Sequence, residues 1–358
     1  MSGTGRFDSM ATDFANSLRT KLLALPKVEL HRHLEGSLRL ETLVEIARTY
    51  NLDLPGYDPE TLRPHVQVMG GDSPDFATYL EKFRLLRRFY VTPDLIGRMV
   101  YECIADAAAD NVKYLELRFN PVALSKLRGF ALEQAVLWVT EATEQAQRDH
   151  DIKVKLIVQI GRDESIPMAR RIAEIAAAAQ HKGVVGLDLA GDESTYPATP
   201  FIEVFRWAKA QGLHITIHAG EMGPAANIRE AIEQIGAERI GHGVRAGEDP
   251  ALVQLLVERG ITLEMCPTSN LHTGAVTTLS EHPLHRYLEQ DVRVTINTDD
   301  PGISNTTLTD EYLLAIQHMG IDFQAVRRTT LYAATAAFLP EDERRELVNW
   351  FKEALSSL

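Results

Sequence analysis

Cysteine is nearly missing from this chain. Cys103 and Cys266 are the only two in 358 residues, too few and too far apart for a disulfide framework or a thiolate metal cluster, and a reducing compartment fits. Long hydrophobic runs are missing too: no stretch approaches the ~18 apolar residues of a membrane crossing. The N-terminal MSGTGRFDSMATDFANSLRT is interrupted by Arg6, Asp8 and Asp13 where a secretion signal would be continuously apolar. Residues 1–20 therefore read as a flexible tail, and the expected location is cytoplasmic. Positive charge is in deficit, with 37 Lys and Arg against 50 Asp and Glu and a net charge of −13, which disfavours nucleic acid and anionic membranes as partners and leaves small molecules. No internal repeat, low-complexity tract or Gly/Ser/Pro-rich linker divides residues 21–358, which read as one domain.

What is present is a rhythm. Short apolar runs of strand character alternate with longer segments of helical period, the pattern of an α/β fold. The strand candidates are residues 27–33, 112–119, 154–161, 184–190, 213–219, 239–243, 261–266 and 292–298. Eight strand and helix units, about 250 residues before insertions, are what a (β/α)8 TIM barrel needs. The competing open sheet would bind a dinucleotide through G-x-G-x-x-G, and the turn after the first strand reads LEGSL instead. Two segments account for the excess length: a helical insertion at 51–110, placed to cover the barrel mouth, and C-terminal helices at 321–358, split by Pro340.

In such a barrel the chemistry sits at the C-terminal ends of the strands. Those ends carry His31 and His33, then DLAGDE (188–193), then His218 and Glu221 in HAGE, His242 in GHG, and Asp299 and Asp300 in NTDD. Imidazoles and carboxylates thus converge on one rim, where a purely structural barrel would show turn formers and apolar residues. His31 and His33, two apart on a strand, share a face. With His218 and Asp299 they make a nitrogen and oxygen set that suits one zinc ion with a position left for water. A bound ion lowers the pKa of water from near 16 to about 7, so hydrolysis is the expected reaction class. A second ion is not expected, because GLDLAGDE offers no bridging lysine.

Glu221 lies three residues past His218 and is placed to deliver a proton, with a helix N-terminal acid as the plainer alternative. His242 and Asp300 then orient and polarise the nucleophile. His214 starts the fifth strand at the opposite end and reads as a packing or solvated residue. His65, His150, His181, His272, His282, His285 and His318 lack a partner at ligand spacing.

The stretches KVELHRHLEGS, DLAGDE, IHAGE, RIGHG, CPTSN and NTDDP, in this order between about residues 27 and 340, resemble those of the adenosine deaminases of the amidohydrolase superfamily. The resemblance implies one Zn2+ on His31, His33, His218 and Asp299, with Glu221 protonating purine N1 and His242 assisting attack at C6. It also implies a substrate-contacting set of His33, Glu35, Gly191 and Asp300, the Gly191 backbone N–H facing ring N3. The implied substrate is a purine nucleoside, adenosine or deoxyadenosine. Unlike zinc deaminases of the base-editing type, the chain has no P-C-x-x-C.

One position departs from the family pattern. The usual H-L-D-G places an aspartate on the ribose 5′-hydroxyl, and here Glu35 stands in its place. Relatives with this glutamate act on free adenine, and other branches take aminodeoxyfutalosine or N6-methyl-AMP, so these 6-aminopurines are the alternatives. CPTSN, NTDDPG and PDFATYLEKF resemble the nucleoside branch more. Two further readings keep the fold: a hydrolase of another C–N or ester bond, and a binder that turns nothing over.

Overall fold

The computed structural model describes residues 17–356. Its eight strands are β1 (Lys27–His33), β2 (Val112–Phe119), β3 (Lys153–Gly161), β4 (Val184–Ala190), β5 (His214–Ala219), β6 (Arg239–His242), β7 (Thr262–Met265) and β8 (Arg293–Ile296). Each pairs in parallel with the next, in sequence order. The expected barrel is there, with every strand within two residues of its anticipated bounds. Its seam, between β8 and β1, is joined backbone to backbone where His33 N–H donates to Asp299 O (2.8 Å) and Asp299 N–H to His31 O (3.0 Å), and by Leu30 N–H to Asn297 Oδ1 (3.0 Å) and Thr298 N–H to Glu29 Oε1 (3.0 Å).

Parallel strands covered on both faces need not alternate in polarity, and the outer residues Leu30, Leu117, Leu189, Ile217 and Leu263 are fully buried. The interior departs from the usual branched apolar layers. Glu116, Arg118, Asp188, Arg239 and Glu264 are buried there as one ionic chain. Arg239 bridges Glu116 and Glu264 (2.5 Å each), and Arg118 bridges Glu264 (2.7 Å) and Asp188 (2.9 Å). Such a chain is weak evidence for stability, but removing one member costs about 3–5 kcal/mol, because a buried charge is stranded. Its consequence is orientation of the layer above it.

The two C-terminal helices, Phe323–Ala336 and Glu341–Ser356, flank Pro340 as anticipated. The link between them closes the barrel floor. Phe338 N–H donates to Glu116 (2.6 Å), its ring lies 3.5 Å from the Arg239 guanidinium, and it stacks on His214 at 4.6 Å. His214 is thus a packing residue far from the rim.

The 51–110 insertion is narrower as a cover than its length suggests. Helix Phe76–Leu86 faces the mouth, but helix Pro93–Ala109 packs on β2 and on helix Leu132–Asp149 as part of the outer ring. Thr92 caps it with Pro93 in its first turn, and Ile96, Met99, Val100, Cys103 and Ile104 form its buried stripe. The 1–20 tail lies outside the described residues up to residue 16; residues 17–24 are helical. Among the described residues no helix is long and apolar enough to cross a membrane.

Candidate metal and catalytic site

Three imidazoles are turned the same way by what holds their other nitrogen. His31 Nδ1 meets Glu264 Oε2 (2.8 Å), His33 Nδ1 meets Gln159 Oε1 (2.8 Å), and His218 Nδ1 meets Asp188 Oδ1 (3.0 Å). Each of these partners is an acceptor, so each ring keeps its proton on Nδ1 and presents a bare Nε2. The three Nε2 atoms converge with Asp299. His33 Nε2 lies 3.2 Å from His218 Nε2 and 3.2 Å from Asp299 Oδ1, and His31 Nε2 lies 3.1 Å from the same oxygen.

Convergent lone pairs repel, and a cation between them would relieve that repulsion. His31 Nε2 is buried with no hydrogen bond. A tetrahedral ion with bonds of about 2.0–2.1 Å would set its ligands about 3.3 Å apart, close to the separations present. Donor atoms of His31, His33, His218 and Asp299 all lie within 4.8 Å of one another. The residues present therefore fit a metal ion. Burial drives His218 down to about 4, against the pull of Asp188, which favours a neutral imidazole. Burial would raise Asp299, but the adjacent His31 and His33 imidazoles hold it well below the usual carboxylate range.

Around this cluster lies a cavity of about 380 Å³, walled by His33, Glu35, Gly191, Glu221, His242 and Asp300, with Tyr79 and Phe83 of helix Phe76–Leu86 on its outer side. The volume suits a small molecule. His31 stays behind the wall. Every anticipated site residue thus falls in one place.

Glu221 is buried at the cavity edge, 3.5 Å from His242 Nε2, and its Oε1 accepts from Thr273 Oγ1 (3.1 Å). Burial first, then the charges of Asp299 and Glu193, push its carboxyl well above the ordinary range. The protonated form of Glu221 is favoured accordingly. Asn270 Nδ2 lies 3.0 Å from His242 Nδ1, which leaves the ring proton on Nε2, facing Glu221 and Asp299. Asn270 Oδ1 is held in turn by buried His282 (3.2 Å).

Backbone strain concentrates here. His242 and Asp299 both have φ of 62°, a left-handed conformation uncommon outside glycine, of the kind that gathers at functional sites. Asp300 Oδ2 accepts from Tyr79 OH (2.9 Å), while its buried Oδ1 has no hydrogen bond. A Cβ on Gly36 would lie 1.8 Å from that Oδ1, which is why glycine follows Glu35. Glu35 accepts from Asn120 N–H (2.7 Å), and burial lifts its carboxyl to about 7. Gly191, just past β4 at φ 111°, holds a backbone conformation that side-chain-bearing residues rarely adopt.

The adenosine deaminase family model matches residues 26–354. The chain belongs to the adenosine deaminase family. It is 39% identical over 323 residues to an adenosine deaminase of Clostridium botulinum, covering 90% of this chain and 97% of that one. Solved structures with the same fold include an adenine deaminase from Arthrobacter aurescens (TM-score 0.85, 29% identity, 93% of this chain and 99% of that one) and the N6-methyl-AMP deaminase of Arabidopsis thaliana (0.82, 26%, 95% and 100%). Membership makes this chain a hydrolase of the deaminase type. The family is metal-dependent, and the buried histidine and aspartate set can bind a metal.

Sequence reasoning missed the residues that orient the others: Gln159, Asp188, Glu264, Asn270, Thr273 and Tyr79. For three of them a signal existed. Gln159, Asp188 and Glu264 are polar side chains inside strands of otherwise apolar character, and a polar group removed from water, as Asp188 and Glu264 are fully and Gln159 in part, requires a partner.

Proposed function

We propose that the chain hydrolyses adenosine and deoxyadenosine to inosine or deoxyinosine and ammonia, using one zinc ion held by His31, His33, His218 and Asp299. The observation that carries this is Glu221: a buried carboxyl, its pKa pushed up by burial, opening into the same cavity as His33 and His218, with His31 converging from behind the wall. Zinc, when bound, supplies a water acidic enough to attack carbon at neutral pH. The purine C6 is a poor electrophile until N1 accepts a proton, and Glu221 is the donor. His242, its Nε2 proton fixed by Asn270, orients the attacking water. Asp300, with Oδ1 free, accepts from the incoming water or the purine. Gly191 presents its backbone to the ring edge, and buried walls exclude bulk solvent.

Incubating metal-loaded protein with adenosine, adenine, 5′-modified adenosines and AMP, and following absorbance and ammonia, tests the reading; no turnover of any 6-aminopurine rejects it. Free adenine is the second reading, favoured by the glutamate at 35. Glu35 separates the two. On the nucleoside reading its carboxylate binds ribose, so Glu35→Ala lowers kcat/KM for adenosine by about 10–100-fold, the worth of a hydrogen bond to a charged group, and barely changes adenine. Equal losses on both substrates would contradict a ribose contact.

A further inference from the structure

The loop after β4 carries a second acid that the chemistry above does not use. Glu193 is buried, and its carboxylate accepts four hydrogen bonds, all from the segment after β5. Oε1 takes Glu221 N–H (2.7 Å) and Gly223 N–H (2.5 Å); Oε2 takes Gly220 N–H (3.0 Å) and Asn227 Nδ2 (3.2 Å). A carboxylate has about four acceptor sites, so this one is saturated. Clustered backbone N–H groups of this kind form a concavity for an anion, and here the anion is a side chain of the same protein.

Both glycines of the segment fit that purpose. Gly220 needs its φ of 68°, and a Cβ on Gly223 would come within 2.8–2.9 Å of the Glu193 carboxylate. The residue enclosed between them is Glu221. Its backbone is gripped by Glu193, and its side chain is steadied by Thr273 (3.1 Å). Resting on the reading of Glu221 as proton donor, we propose that Glu193 is a positioning residue, whose carboxylate clamps the Gly220–Gly223 backbone so that Glu221 meets the substrate ring at the reacting nitrogen.

Misplacement by about 1 Å costs a reaction about 10²-fold. Glu193→Gln keeps one acceptor oxygen but turns an NH2 group against two of the four donors, which releases the segment. The expected result is kcat lower by about 10²-fold, with KM within about threefold and metal content unchanged. The deciding measurement is a cycle with Glu221→Gln. If Glu193 acts through Glu221, adding Glu193→Gln to Glu221→Gln lowers kcat by no more than about threefold further. Gly223→Ala would meet Asn227 Nδ2 at 2.3 Å and the Glu193 carboxylate at 2.8–2.9 Å, disturbing the same contacts, and should give the same pattern; it stands in if Glu193→Gln does not fold. Full loss in both backgrounds, loss of metal, or wild-type kcat in both variants overturns the proposal. Wild-type turnover by Glu221→Gln alone removes the proton-donor reading, and the clamp proposal falls with it.

Discussion

Glu221→Gln should retain its metal and lose about 10³-fold in kcat, within the range that a positioned proton donor contributes. The amide has nearly the same shape and can still accept from Thr273 Oγ1, so the site keeps its form while the transferable proton is gone. The pH dependence carries the sign. Burial and the charges of Asp299 and Glu193 raise this carboxyl, so the competent form is the protonated one, complete below the raised pKa and lost as pH climbs through it. The wild-type profile should therefore fall on its alkaline side, and the residual rate of the variant should lack that fall. Steady-state kinetics from about pH 6 to 9 with parallel metal analysis measures both; a variant within about threefold of wild type would dismiss the role.

His218→Ala should lose metal and turnover together, with turnover down by about 10⁴-fold or more, since unassisted water keeps a pKa near 16. The substitution removes one converging Nε2 and leaves the Asp188 carboxylate, fully buried, with only Arg118 at 2.9 Å. A drop in stability of about 3 kcal/mol follows from stranding part of that pair. His214→Ala is the control. It lies on the same strand and face but at the barrel floor, stacked on Phe338, and should keep its full metal content. Metal analysis of both proteins after dialysis decides the matter, and a zinc-replete His218→Ala would show that the ligand set is wrong.

The strands and the cluster were readable from the chain because both depend on local regularities. Parallel strands announce themselves as apolar runs, and a rim of histidines and acids stands out where turn formers belong. Helix Pro93–Ala109 was folded into the mouth insertion, because an amphipathic stripe shows that a helix packs but not on which neighbour. The orienting residues were hidden for another reason. Glu264 reaches His31 across 233 positions and Gln159 reaches His33 across 126, and hydrogen bonds between such distant residues leave no period or spacing to find. Glu193 was visible within DLAGDE, yet its four donors all come from another loop.

The seam between β8 and β1 has a consequence for endurance. The barrel's first and last staves meet through the backbones of His31, His33 and Asp299, three of the residues proposed to hold the ion. A cation bound there would tie the first strand to the residues that follow the last, so its removal is expected to loosen that seam.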